Sequence, residues 1–223
     1  MPRNRRFIPA HDAALHIISR GNNRYCLFAK DEDKVCYLTA LRELKEENKI
    51  DIFHYCLMSN HVHLVVWVRA QHTLSKCIKQ LNLRYFNYYK KSYGYTGCLW
   101  QGRFKSNIID TDTYLLQCGK YIELNPVRAQ IVSSPEEYRF SSYCYYAYGI
   151  SDGLITPSLA YLGLSNSEEN RRKQYIAFVV DGNIINSRKL KAQLFIGSDL
   201  FIKKLEEYYV IKNTSLDRGR PKK

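Results

Sequence analysis

Several features are missing from this sequence of 223 residues, and each absence removes a class of protein. It has no run of about 20 apolar residues, so we expect no membrane-spanning helix. Its seven cysteines are odd in number and widely scattered, without a Cys-x-x-Cys pair, which excludes a disulfide framework and a zinc ribbon. The first residues lead into no signal-like apolar stretch. We therefore expect a cytoplasmic protein with reduced thiols.

Acidic residues are also few. The chain has 21 Asp and Glu residues against 34 Lys and Arg residues, which gives a formal net charge of +13. Such an excess indicates a polyanionic partner, most simply nucleic acid. An anionic membrane surface is the rival partner, and we do not expect it.

A His-x-His pair lies inside the most apolar run of the chain, Leu57 to Val68. In a β-strand, residues two apart point to the same face, so His61 and His63 are expected to leave the sheet side by side. Two such imidazoles, joined by a third ligand, predict a divalent-metal site. The more common role of such a pair is that of core histidines bonded to carbonyl groups.

A later segment offers a third ligand and a nucleophile together. Tyr121 and Asn125 are four residues apart in a predicted helix, which Pro126 should end near Asn125. That spacing predicts that both side chains lie on one side of the helix. Tyr114 belongs to the same stripe but lies nearly two turns further from Asn125. The alternative is that Tyr121 is a core tyrosine and Asn125 a helix-end cap.

Phosphodiester transfer is the chemistry that this combination favours. Two neutral imidazoles and one amide oxygen leave positions open on Mg²⁺ or Mn²⁺ for a scissile phosphate. A tyrosine hydroxyl is a suitable nucleophile, and its attack would give a 5′-phosphotyrosine and a free 3′-OH. The same design serves nicking, joining and transposition. A structural zinc site is disfavoured because cysteine partners at ligand spacing are missing.

The order of predicted elements is strand, helix, hairpin, helix, strand and helix. It indicates an α+β domain with a mainly antiparallel sheet, over residues 1–148. Residues 149–223 are expected to form a linker, a small helical appendage and a basic tail. Ser167 and Ser198 are predicted to cap helices there.

Tyrosines and the basic tail suggest further contacts with nucleic acid. Five tyrosines lie among Lys and Arg, where they suit base stacking or, equally, half-buried helix positions: Tyr85, Tyr88, Tyr89, Tyr93 and Tyr95. Arg218 and Arg220 stand in an AT-hook-like tail that suits a DNA minor groove. The alternative for the tail is a disordered solubilising segment.

Five stretches resemble the single-tyrosine HUH transposases, and most closely the REP-associated tyrosine transposases. They are Ile17-Ile-Ser-Arg-Gly-Asn-Asn-Arg24, Tyr55-Cys-Leu-Met-Ser-Asn-His-Val-His-Leu-Val65, Leu99-Trp-Gln-Gly-Arg-Phe-Lys-Ser106, Tyr121-Ile-Glu-Leu-Asn-Pro-Val-Arg-Ala129, and Pro135 through Ser141-Ser-Tyr143. Insertion-sequence relatives tend to carry Gln at the position of Asn125, which favours the REP-associated branch. Ser59 departs from the proline often found there, and should alter only the turn.

The resemblance implies a ferredoxin-like or RRM-like core, in which helices flank an antiparallel sheet. It implies His61, His63 and Asn125 as ligands of Mg or Mn, Tyr121 as the nucleophile, and single-stranded or hairpin DNA as the partner. A homodimer that exchanges its tyrosine helices is possible. The candidate phosphate contacts are Arg20, Arg24, Arg103, Lys105 and Arg128. The alternatives are a non-catalytic regulator that binds hairpin DNA, and an RNA-binding module.

Overall fold

A computed structural model describes residues 12–69, 71–110, 113–181 and 193–213. The strands are β1 (Ala13–Arg20), β2 (Asp51–Met58), β3 (His61–Val68), β4 (Lys105–Ile109) and β5 (Phe195–Ile196). The helices are α1 (Asp31–Asn48), α2 (Gln71–Tyr93), α3 (Thr113–Glu123), α4 (Asn125–Arg128), α5 (Tyr143–Tyr148), α6 (Leu159–Leu162), α7 (Glu168–Val180) and α8 (Asp199–Tyr209). Short 3-10 turns cover Asn22–Arg24 and Pro135–Glu137.

The strands form one sheet in the order β2-β3-β1-β4-β5. The first four are antiparallel to their neighbours, and β5 pairs with β4 in parallel. The predicted α+β class, with an antiparallel sheet flanked by helices, is confirmed. The parallel edge strand was not predicted, because Phe195–Ile196 is only two residues long and lies in the segment expected to be helical.

Strand β3 is buried along most of its length, as predicted for a strand in the middle of a sheet. Its register places His63 opposite Ile18 of β1 and Cys56 of β2. Because side chains alternate along a strand, His16 shares the face of His63. Helix α3 covers that face, since the ring of Tyr121 contacts both histidines.

The predicted helix stop near Asn125 is confirmed. The prediction that Tyr121 and Asn125 lie on one side of the same helix is not. Helix α3 ends at Glu123, and Asn125 begins the separate short helix α4. Pro126 has no backbone N–H to continue the ladder, so the chain turns at Leu124 before it resumes. Tyr121 and Asn125 are therefore brought together across a helix boundary rather than along one helix.

The segment after residue 148 packs back onto the earlier elements. Helix α7 contacts α5 and α6 and reaches buried side chains of α3. Ser167 and Ser198 cap α7 and α8, as predicted, by accepting backbone N–H bonds from Asn170 and Phe201. The division into residues 1–148 and 149–223 stays a prediction. Within the described ranges, no helix has both the length and the apolar character needed to cross a membrane.

The tyrosines of α2 are tied to the protein through their hydroxyls. Those of Tyr88 and Tyr93 bond to the buried carboxylate of Asp33, at 2.8 Å for each closest contact. Those of Tyr85 and Tyr89 donate to backbone carbonyls. These bonds favour half-buried helix positions over base stacking for the four tyrosines.

Candidate active site

The two histidines of the His-x-His pair lie side by side at one end of β3. Their ring centroids are 4.9 Å apart, and the ring planes cross at 78°. His63 is buried, whereas His61 is partly exposed next to the turn at Ser59 and Asn60. The prediction that both imidazoles leave the sheet on one face is confirmed.

A hydrogen bond holds the Nδ1 atom of each ring. Nδ1 of His61 lies 2.6 Å from the side-chain oxygen of Asn60, and Nδ1 of His63 lies 2.8 Å from Nε2 of His16. Histidines that bind metals usually have one ring nitrogen fixed in this way, so that the other can face the ion. The partner of His63 is another imidazole, not the carbonyl group expected of a core histidine.

His16 was not singled out from the sequence, yet it lies fully inside the protein against His63. The two ring planes are nearly parallel, at 11°, and the centroids lie 5.1 Å apart, as expected for rings joined edge to edge by that hydrogen bond. Burial lowers the pKa of His16 to about 3. Burial also lowers the pKa of His63 well below its usual value, and His16, His61, Arg128 and Arg20 add to the effect. Both rings are therefore neutral near pH 7, the form that binds metals.

The ring of Tyr121 lies beside the rings of His63 and His16 in the same chain. The centroid of its ring lies 6.2 Å from that of His63 and 6.5 Å from that of His16. Only 2% of Tyr121 is exposed, and the guanidinium of Arg128 lies 4.0 Å from the ring centre. Tyr114, the alternative nucleophile, is partly buried against the hydrophobic core.

Asn125 joins the site through Arg128. The guanidinium donates to Oδ1 of Asn125 and to the backbone carbonyl of Tyr121, the latter at 3.2 Å. Nδ2 of Asn125 is buried and has no hydrogen-bond partner among the described residues. An amide oxygen has two lone pairs, so Oδ1 can accept from Arg128 and still face a cation.

The donor set of the candidate metal site is two imidazoles and one amide. Among the described residues there is no cluster of three or more His, Cys, Asp or Glu side chains that would hold a metal. A metal site built on His61 and His63 would therefore need Asn125 as its third donor. The amide oxygen suits hard cations such as Mg²⁺ or Mn²⁺, whereas the imidazole nitrogens also suit softer ions such as Zn²⁺, so this donor set admits several divalent cations.

At the end of the sheet, the segment after β1 bonds to the turn before His61, and the segment before β4 bonds to the end of β1. The backbone N–H of Gly21 donates to Asn60 at 2.9 Å, and that of Gln101 donates to Arg20 at 2.8 Å. A Cβ atom on Gly21 would approach the carbonyl oxygen of Tyr25 to 2.3 Å. Only glycine fits there, which explains why the turn after β1 needs it.

The candidate phosphate contacts are distributed around this end of the sheet. Arg20 lies opposite His61 in the strand pairing, and Arg128 lies on Tyr121. The remaining described candidates are exposed on the loop after β1 and at the start of β4: Arg24, Arg103 and Lys105. Arg218 and Arg220 lie outside the described residues.

A buried polar network lies directly behind the tyrosine and was not predicted. The carboxylate of Glu123 accepts bonds from His54 Nδ1 at 2.9 Å, Ser142 Oγ at 2.5 Å and Tyr175 OH at 2.6 Å. All four residues are fully buried. The network connects α3 to β2, α5 and α7, so it fixes the helix that carries Tyr121.

A second buried polar side chain of α3, that of Lys120, bonds to the C-terminal end of α7. Lys120 is fully buried, and its Nζ donates to the carbonyl of Phe178 at 2.6 Å and to the carboxylate of Asp181. Gly119 precedes it, and a Cβ atom there would lie 2.5 Å from the ring of His54. A glycine inside a helix was the one sequence signal of this close packing.

One protein family matches the chain. A family model described as IS200-like transposase matches residues 10–125, which is just over half of the chain and contains His61, His63, Tyr121 and Asn125. No curated protein matches the chain.

Two solved structures are similar to the chain. One, described as a REP-associated tyrosine transposase bound to a REP hairpin, is 17% identical with a TM-score of 0.56, and the match covers 71% of this chain and 93% of that one. At this identity the likeness shows a shared fold. The other, described as a transposase from Deinococcus radiodurans R1, is 18% identical with a TM-score of 0.38, and the match covers 61% and 97%.

Proposed function

The chain belongs to the IS200-like transposase family, and we propose that it cleaves and rejoins single-stranded DNA through a covalent bond to Tyr121. One observation carries the proposal. The ring of Tyr121 lies beside His63 within a single chain, and Arg128 connects that tyrosine to Asn125. A nucleophile and two imidazoles are thus neighbours, and Arg128 connects them to an amide, which supports phosphodiester transfer with a bound cation.

Three side chains are the proposed ligands of the cation. They are His61 and His63 through Nε2, and Asn125 through Oδ1. Transposases of this family generally depend on a metal, and we propose Mg²⁺ or Mn²⁺, which the amide oxygen suits and whose open positions would take water and phosphate oxygens. Bound there, the cation would polarise the scissile phosphate and neutralise the charge that develops on it.

The proposed reaction exchanges one phosphodiester for another. The phenol of Tyr121 loses its proton to water as its oxygen bonds to phosphorus, and the bond to the 3′ oxygen breaks. That oxygen takes up a proton, which leaves a 3′-OH strand and a 5′-phosphotyrosine. The reverse attack by a 3′-OH rejoins the strand without ATP.

Arg128 controls access to the nucleophile in this proposal. Tyr121 is almost fully buried, and Arg128 lies over its ring. A phosphate is a stronger acceptor for a guanidinium than the amide and carbonyl oxygens that Arg128 now contacts. Incoming DNA should therefore draw Arg128 away from the ring and expose the hydroxyl.

Hairpin DNA is the proposed substrate. The solved structure that shares this fold is bound to a REP hairpin, and the net charge of +13 suits a polyanion. Arg20, Arg24, Arg103 and Lys105 are the proposed phosphate contacts. The tail residues Arg218 and Arg220 are proposed to contact the minor groove.

One gel experiment tests the proposal. Labelled single-stranded hairpin DNA is incubated with the protein in Mg²⁺ or Mn²⁺, or in excess chelator, and separated in SDS. We expect an adduct that needs the cation, disappears in Tyr121→Phe and persists in Tyr114→Phe. An adduct that survives Tyr121→Phe would contradict the assignment of the nucleophile.

A non-catalytic hairpin-binding regulator is the second candidate. The burial of Tyr121 under Arg128 favours it, because a nucleophile that stayed covered would not react. Tight binding of the hairpin without any adduct, at all cation concentrations, would support this alternative. Preference for an RNA hairpin of the same sequence would support an RNA-binding module instead.

A further inference from the structure

His16 is a buried polar side chain that the reaction proposed above does not use. It is fully buried in the middle of β1, and its Nδ1 has no hydrogen-bond partner among the described residues. A buried polar atom without a partner lowers stability, so a residue kept at that cost calls for an explanation. Its Nε2 atom makes the one contact that suggests a role, the 2.8 Å bond to His63.

Counting hydrogens on the two rings leaves two arrangements. Each neutral imidazole carries one N–H, and the bond between the rings needs one donor and one acceptor. In the first arrangement, His16 donates from Nε2, so the hydrogen of His63 is on its own Nε2. In the second, His63 donates from Nδ1, and the hydrogen of His16 is on Nδ1.

Only the second arrangement is compatible with a cation at His63. A ring nitrogen that carries hydrogen has no lone pair to give to a metal, so Nε2 of His63 can bind only when Nδ1 is protonated. The hydrogen bond also holds the plane of the His63 ring, because the two rings are nearly coplanar, with planes at 11° and centroids 5.1 Å apart. The same contact therefore sets both the hydrogen position and the orientation of the ligand.

We propose that His16 is a positioning residue that accepts the Nδ1–H of His63 and so keeps Nε2 of His63 in the form and direction that bind the cation. This inference rests on the proposed function, because it assigns the partner of one proposed ligand. His16 itself touches neither the DNA nor the cation. Asn60, whose side-chain oxygen lies 2.6 Å from Nδ1 of His61, has the corresponding place at the other ligand.

Two substitutions of similar size separate positioning from mere packing. Gln places its amide oxygen near the position of Nε2 in histidine and can still accept the hydrogen bond, whereas Met fills similar space without an acceptor. The metal-free, full-length proteins are titrated with Mn²⁺ by calorimetry or by its magnetic resonance signal. We expect His16→Met to weaken binding by about 10–100-fold, and His16→Gln to retain most of the affinity.

The outcomes of the titration are distinct. Equal Mn²⁺ affinities of His16→Met and the unchanged protein would overturn the inference about His16. The proposed function would still stand, because the adduct assay of Tyr121 tests it separately. Equal losses in His16→Met and His16→Gln would reduce His16 to a packing role and also overturn it. Failure of the unchanged protein to bind Mn²⁺ would overturn both the inference and the proposed cation dependence.

A measurement on the unchanged protein removes the dependence on variants that fold poorly. Nitrogen-15 magnetic resonance of the imidazoles, in saturating Mg²⁺, reports which nitrogen of each ring carries hydrogen. We expect the hydrogen on Nδ1 of both His63 and His16. Hydrogen on Nε2 of His63 under these conditions would overturn the inference.

Discussion

Replacement of Glu123 by alanine is expected to destabilise the protein strongly, because it removes the acceptor at the centre of the buried network. His54, Ser142 and Tyr175 all donate to the Glu123 carboxylate, and none of the three side chains is exposed. Alanine leaves His54 Nδ1 and Tyr175 OH without an acceptor in a place that water does not reach, whereas Ser142 Oγ can still donate to the carbonyl of Tyr55 at 3.3 Å. It also leaves a cavity where the carboxylate was.

The magnitude follows from the count of donors. A buried donor that loses its acceptor costs about 1–3 kcal/mol, so two set a lower limit of about 2 kcal/mol on the loss. In a chain of this length, each kcal/mol lowers the melting temperature by about 2–4 °C, so a fall of about 4–8 °C or more is expected. Glu123→Gln should lose less, since its amide oxygen keeps some of the bonds.

Thermal and urea unfolding measure this loss, and Glu169→Ala is the matched control. Glu169 is also an acidic helix residue with a charged partner, Lys173, but that pair is exposed and should contribute little. Glu123→Ala should also slow adduct formation in the protein that remains folded, because Glu123 fixes the helix of Tyr121. A loss of stability no larger than that of the control would refute the reasoning.

Three further outcomes test the packing of α3, its place within one chain and the proposed phosphate contacts. Gly119→Ala should destabilise by about 1–3 kcal/mol in urea unfolding although alanine favours helices, because its Cβ would meet the His54 ring; greater stability would contradict this. A mixture of Tyr121→Phe and His63→Ala proteins should form no adduct, since α3 is fixed within its own chain; restored adduct would show exchanged helices. Arg24→Ala should reduce the log–log salt slope of single-strand binding by about 0.7, and an unchanged slope would remove Arg24 from the phosphate contacts.

Local sequence pattern was enough to predict one half of the candidate site. His61 and His63 follow the alternation of a strand, so their shared face needed no knowledge of the fold. The stop before Pro126 likewise followed from proline chemistry. The start of a second helix at Asn125 did not, because it depends on hydrogen bonds that resume after Leu124.

The contacts behind the site depend on long-range pairing. His16 and His63 are separated by 47 residues, and His54 and Glu123 by 69, so their contacts depend on strand register and helix docking. In the sequence alone, Glu123 is an ordinary charge on a helix. Its burial becomes visible only when α7 packs against α3.

Mass spectrometry of the peptide that holds the DNA tests the central claim most directly. The protein is reacted with hairpin DNA and Mn²⁺, the DNA is trimmed with nuclease, and the digested peptides are sequenced. The proposed reaction predicts a nucleotide joined through its 5′ phosphate to the hydroxyl of Tyr121. A nucleotide on any other residue, or free cleaved strands without a nucleotide on the protein, would contradict it.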